Sequence, residues 1–351
     1  MRSFVTGGLL LLGSSAWAGE VRFNGEGHAM HPVWSVDGRY VAFEVNSLSG
    51  GSASLFVSEV QGEIAKDGVR IALPGGGTAM SGTNQVVINP TWMREGYVVF
   101  EGSNQGGNYR IYYRAAAGGA ASELIPTTAM PGDMTFPMVS PDGKTLVFVS
   151  DQTGNGDIRT RDTQTSKIGQ VTQSSHSEMF PIFGPDNTKI VYTRKDGGGQ
   201  DVFEVPVAGG TETEIAGGGG DQTRPNYVAG GAIAFFDNSR GTDLWDVVVF
   251  SAGQKKTLAR DVRLPQRARP AVTPDQQWVS WAWNDPTKSD KIVLARTDGS
   301  KTVTIDTNFT ACGEPALTKQ NGRILLAYTA LPQSGADWRS LHVVDVTDRL
   351  Q

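Results

Sequence analysis

A proline recurs along this chain at Pro32, Pro90, Pro137, Pro181, Pro225, Pro270 and Pro315, so successive intervals are 58, 47, 44, 44, 45 and 45 residues. Each proline is followed by a tight-turn signature, then an apolar strand, then a loop of Gly, Asn and Asp. A strand-built period of about 45 residues means small sheets arrayed around an axis, a β-propeller. The expected fold is all-β: seven four-stranded antiparallel blades, with six blades as the alternative count. Gly 44 and Pro 17 suit such a turn-dense chain.

The clearest copy runs from Phe136-Pro137 through Ser140-Pro141-Asp142-Gly143 to Thr145-Leu146-Val147-Phe148-Val149. Pro137 lacks an N–H and suits the first residue of a strand. Ser140 to Gly143 is a type I turn, with proline presetting φ and Gly accepting positive φ. Thr145 to Val149 is β-branched and apolar, a strand. Unit one repeats the grammar at Ser35-Val36-Asp37-Gly38, unit four at Gly184-Pro185-Asp186-Asn187, and unit six at Thr273-Pro274-Asp275-Gln276. Gln276 suits its position poorly, so a rebuilt turn is expected there. Phe43, Phe100, Phe148, Tyr192, Phe235 and Trp281 recur in the second strand and are expected to fill the layer between neighbouring sheets.

This pattern resembles the TolB-type (PD40, WD40-like) propeller repeat, named for the Pro-Asp of its first turn. The resemblance covers about residues 28 to 345 and is most specific at Ser140-Pro141-Asp142-Gly143 and Leu146-Val147-Phe148. Two departures accompany it. The chain leaves no room for the α/β domain that precedes the propeller in TolB, and it carries seven repeats where TolB has six blades.

Residues 1–18 read as a secretory signal peptide: Arg2, an apolar core from Phe4 to Leu12, and Ala16-Trp17-Ala18 for cleavage before Gly19. Residues 19–351 then form a single domain, exported to the periplasm, with no membrane span after cleavage. One cysteine, Cys312, cannot form an internal disulfide and reads as a buried small residue. A net charge of −5 argues against a nucleic-acid partner. The irregular first interval reads as an insertion, about Gln61 to Asn84. Glu20-Val21-Arg22-Phe23 is expected to pair with unit seven as its outer strand, closing the ring and covering an edge that would otherwise invite aggregation.

The loops entering the innermost strands gather at one mouth of the channel. Candidate binding residues there are His31, Glu178, Arg224, Arg267, Arg269 and Glu314, a mixed-charge rim suited to a polar or anionic ligand. No catalytic residues are assigned, no metal and no cofactor. His28 and His31 are a close pair without a neighbouring Cys or an H-E-x-x-H arrangement. The Asp-rich loops lack EF-hand spacing and read as side-chain caps. Gly75-Gly76-Gly77 and Gly217 to Gly220 are not followed by Gly-Lys-Ser/Thr and read as loops. There is no Gly-x-Ser-x-Gly.

The expected role is a non-enzymatic, monomeric protein-interaction scaffold of the cell envelope. The resemblance implies partners such as an outer-membrane lipoprotein or an envelope-spanning machine. The alternative is a carbohydrate- or small-ligand-binding propeller, or a polysaccharide lyase or hydrolase, using the same mouth.

Overall fold

The computed structural model describes residues 19–47, 52–74, 85–104, 106–283, 291–307, 309, 311–331 and 338–351. Residues 1–18, read from sequence as a signal peptide, and Gly75-Gly76-Gly77 with the rest of 75–84 lie outside the described residues.

The fold is all-β, and its antiparallel sheets follow the repeat. Unit four shows the pattern: Ser177–Phe183, Lys189–Asp196, Gly199–Pro206 and Thr213–Ala216 pair in chain order. Units three, five and six have the same four-stranded order. Units one and two run into one sheet through a single parallel pairing, Ala53↔Val86. The cause lies in the supposed insertion. Val69–Ile71 is the outer strand of unit one, but it pairs only as far as Leu55↔Ile71, which leaves the Ala53 end of its neighbour open. In unit seven, Ala311–Gln320, Arg323–Leu331 and Ser340–Asp345 are joined by Glu20–Val21, in the register Glu20↔His342 and Val21↔Leu341. The added strand is shorter than expected: Phe23 turns away to bridge Gly68.

The Ser-Pro-Asp-Gly turn builds itself from side chains. Ser140 Oγ donates to Asp142 Oδ1 (2.6 Å) while accepting from Thr145 N (2.9 Å), and Asp142 Oδ1 also accepts from Lys144 N (3.0 Å). Thr273 and Asp275 reproduce this in unit six, and Gln276 adopts φ 59°, so that turn is kept rather than rebuilt. The side-chain brackets hold the turn even where the residue is not glycine. The Asp-rich loops work likewise: Asp196 Oδ1 accepts Gly198 N (2.9 Å) and Asp237 Oδ1 accepts Ser239 N (2.7 Å).

The second-strand aromatics are fully buried or nearly so. Each shares a core cluster with the preceding unit: Phe148 with Val99 and Ile111, Tyr192 with Val147 and Ile158, Phe235 with Val191 and Val202. Phe43 of unit one clusters with Leu325, Ala327 and Val343 of unit seven.

The recurring proline does not begin its strand. Pro32 is the fifth residue of His28–Trp34, and Pro137 the fourth of Met134–Val139. It is tolerated mid-strand because it sits in a β-bulge, where the ladder asks for no N–H. Pairing shifts from Met30↔Glu44 to Val33↔Ala42, and from Thr135↔Val149 to Met138↔Val147. Two residues, His31-Pro32 or Phe136-Pro137, therefore oppose one aromatic, Phe43 or Phe148.

Candidate functional site

The bulge sets up the axis of the molecule. The residue before the proline has positive φ in six units: His31, Asn89, Phe136, Phe180, Arg224 and Glu314 lie between 47° and 56°. This is costly for a non-glycine residue, so it persists only where the surroundings enforce it. At four of the six, a neighbouring unit takes the turned N–H group. Glu44 Oε1 accepts Asn89 N (2.8 Å), Glu101 accepts Phe136 N, and Thr193 Oγ1 accepts Arg224 N (3.1 Å). In each case the acceptor follows the second-strand aromatic of the preceding unit. His31 N donates instead to Glu314, across the join of units one and seven.

Unit six breaks the pattern. Its first strand is only Ala271–Val272, and Arg269 does not share the positive φ. The segment ahead of Pro270 leaves the sheet and reaches across the axis. Arg267 Nη1 meets Glu44 Oε2 of unit one (3.2 Å), and Arg269 Nη2 donates to Pro181 O of unit four (3.0 Å). Arg224 of unit five donates to the carbonyls of Pro265 and Gln266, the latter at 2.7 Å. Glu314 of unit seven accepts Gln266 N (3.2 Å). Four units thus clamp one short segment.

The clamp holds its charges in poor solvent. Burial lowers the Arg224 pKa to about 10, against the pull of Glu314, and lowers that of Arg269 to about 10, with Arg224 adding to the effect. The Nε of each is buried with no hydrogen-bond partner in the protein. Arg224 also lies 5.2 Å from the Phe180 ring centroid, a cation–π contact. Burial raises the Glu101 pKa to about 8, despite the Asn89 Nδ2 and Phe136 N donors it holds.

Five of the six residues singled out from sequence, His31, Arg224, Arg267, Arg269 and Glu314, therefore meet in one network. They face one another and the backbone rather than forming an open rim. Glu178 stands apart. Its carboxylate accepts Ser174 Oγ (2.6 Å) and Thr172 Oγ1 (3.1 Å), and burial lifts its pKa to about 7. Glu44 and Glu101 were missed. Glu44 is 1% exposed, yet it takes His31 Nδ1 (2.9 Å), Asn89 N and Arg267. The signal was a carboxylate directly after the core aromatic, where other units place Val149, Phe236 or Ala282. The histidine pair is divided: His28 Nδ1 accepts Arg339 N (3.1 Å). Among the described residues no group of three or more His, Cys, Asp or Glu side chains is placed to hold a metal.

Among the described residues, three cavities lie near the axis. One of about 230 Å³ lies on the axis and is lined by residues from all seven proline-bearing segments. A second, about 390 Å³, lies toward the Pro-Asp turns, beside Trp92, Met138 and Tyr227. The third, about 380 Å³, opens between the crossing segment and residues 280–282 of unit six's second strand.

Repeated four-stranded sheets, with first strands lining a common axial cavity, define a β-propeller. Residues 123–320 match the family model of the TolB β-propeller domain (PD40), more than half of the chain, and the chain belongs to this family. Among solved structures it is similar to TolB from Acinetobacter baumannii, with TM-score 0.58 and 18% identity over 80% of this chain and 67% of that one. It is similar to a Mycobacterium tuberculosis puromycin-hydrolyzing peptidase, with TM-score 0.64 and 14% identity over 91% of this chain and 51% of the peptidase. It is also similar to oligogalacturonate lyase from Vibrio parahaemolyticus, with TM-score 0.60 and 10% identity over 95% and 92%. At these identities the likeness is one of fold.

Proposed function

We propose that this chain is an exported, seven-bladed propeller, closed by its N-terminal strand, that works in the periplasm as a non-enzymatic scaffold binding another envelope protein. For the ring, the support is that first strands neighbour one another in unit order and that of unit seven neighbours that of unit one. The Glu20–Val21 pairing ties the two chain ends together. Removing residues 19–24 would expose that edge and lose Val21, which is wholly buried. A melting temperature unchanged by this deletion would rule out the closure.

For the role, one observation carries the reading: the charged groups at the axis are spent on each other and on backbone. Glu44, Glu314, Arg224, Arg267 and Arg269 each hold partners in the network, and this fixes the mouth as a rigid surface. Chemistry would call for an acid or base poised toward a substrate. Beside the mouth Trp283 is 45% exposed, an aromatic anchor of the sort that dominates protein interfaces. Among the described residues no helix is long and apolar enough to cross a membrane.

The test is cross-linking of the tagged protein in native envelopes, followed by mass spectrometry, beside Trp283→Ala. A stoichiometric partner that is lost in Trp283→Ala, with melting unchanged, is the expected result. Retention of that partner, or none at all, counts against a scaffold docking at this mouth. A small-ligand reading of the same mouth rests on a different observation, the third cavity.

A further inference from the structure

The third cavity exists because unit six is incomplete. In unit four the first strand covers its neighbour as far as Ser177↔Lys195. In unit six the pairing stops at Ala271↔Ser280, so Trp281 to Trp283 have no strand on the channel side. The crossing segment does not fill the gap. It leaves a cavity of about 380 Å³, within the ~300–1,000 Å³ of small-ligand sites.

Its lining is one-sided in charge and rich in donors. Arg263, Arg269 and Arg339 face it against a single carboxylate, Glu314, which already accepts His31 N and Gln266 N. The Arg269 Nε, Ser280 Oγ and Trp281 Nε1 atoms are all buried and have no partner in the protein. Buried polar groups are otherwise almost always paired, and here three unpaired ones, each able to donate, belong to residues that line one cavity. Most of the remaining wall is apolar, with Met30, Phe236, Leu264 and Ala282 in it beside Gln266.

Surplus cations, unpaired donors and apolar walls together specify an acceptor-rich anion attached to an apolar body. Planar guanidinium groups match a carboxylate. We propose that this cavity binds a carboxylate carried on an apolar group of about one amino-acid residue, either a peptide carboxyl terminus or a free small carboxylate. This deepens the binding role proposed for the mouth and rests on that reading being one of binding. The two can fail separately: a partner captured through Trp283 needs no carboxylate preference, and a carboxylate preference needs no captured partner.

The experiment is calorimetric titration of the purified protein with N-acetyl-leucine, with an acetylated tripeptide ending in leucine, and with the amide of each. The acids are expected to bind with Kd on the order of 1 mM or tighter, and the amides about tenfold more weakly. The double variant Arg263→Gln/Arg339→Gln is expected to lose about tenfold in affinity for the acids, with melting unchanged. These two side chains are chosen because neither takes part in the clamp. A tripeptide acid that binds more tightly than N-acetyl-leucine marks a peptide terminus, while equal affinities mark a free small carboxylate. Equal binding of acids and amides, binding by none of the four compounds, or full affinity in the double variant would overturn the proposal.

Discussion

Units three and six share the same turn and almost the same spacing, yet their interiors differ. In unit three, Met134 and Thr135 pair with Ser150 and Val149, the Phe136-Pro137 bulge follows, and Phe148 is sealed against unit two. In unit six the equivalent stretch is Arg267-Ala268-Arg269, and it does not pair. The guanidinium group of Arg267 would have to enter the apolar seam that Met134 fills in unit three, and Arg269 follows two residues on. They reach instead for a carboxylate and a carbonyl across the axis, and the strand goes with them. A repeat can thus keep its turn, lose half a strand, and acquire a clamp and a cavity.

The sharpest contrast between the two is core packing. Phe148→Ala should cost about 3–5 kcal/mol in denaturant unfolding, because Phe148 is fully buried among Val99, Ile111 and Met134. Trp281→Phe should cost less than Trp92→Phe. The Trp92 Nε1 donates to Val33 O at 3.0 Å, whereas the Trp281 Nε1 has no partner to lose. Equal losses would mean that the cavity is not what sets unit six apart.

Next in size is the clamp. Arg224→Ala removes the bonds to Pro265 and Gln266, and it should cost about 1.5–3 kcal/mol, the usual worth of bonds from a charged donor. Hydrogen exchange of residues 265–269 should rise more than that of unit three. Uniform exchange would show that the segment holds itself in place.

A pH series separates the buried carboxylates from the rest. The Glu178 and Glu101 pKa values lie at about 7 and about 8 in the folded protein, raised above the ordinary 4.5 by burial. The folded state therefore binds more protons than the unfolded one between these limits. Stability should fall as pH rises from about 4.5 toward 8 and then level off. Glu178→Gln should flatten the lower part of that fall, as read from melting temperature against pH. A fall of unchanged steepness in Glu178→Gln would place its cause elsewhere.

The smallest effect lies in the turns. Gln276 holds φ 59° where unit three has Gly143 at 78°. Gln276→Gly should stabilise by up to about 1 kcal/mol, the left-handed cost removed less the entropy glycine adds. Gly143→Gln should destabilise, since a Cβ there would stand 3.3 Å from Arg94 Cδ. A loss in both variants would show that the brackets made by Thr273 and Asp275 demand a side chain at the fourth position.

Much of the fold could be read in the chain before any coordinates. The turns were legible because Ser140, Asp142 and Gly143 act within five residues of one another. The strands were legible because apolar runs follow them, and the interfaces because one aromatic recurs in each unit. The bulge was not legible: a proline looks the same at the head of a strand and in its middle, and only the partner strand shows that two residues oppose one. Val69–Ile71 was read as part of an insertion because three residues carry too little pattern to mark a strand.

The candidate site was half legible. Arginines and glutamates before the prolines pointed to the axis, and five of six meet there. Their partners did not show, because His31 and Glu314 are 283 residues apart, and Glu44 sits inside an apolar strand. Periodic features arise from forces that act over a few residues and repeat, so the sequence by itself determined the turns, the strands and the layer of aromatics. The axial cavity is lined by residues from distant units, and the charges beside it settle only against one another. The crossing of residues 265–269, the clamp that holds it and the cavity beside it were decided by the tertiary structure alone.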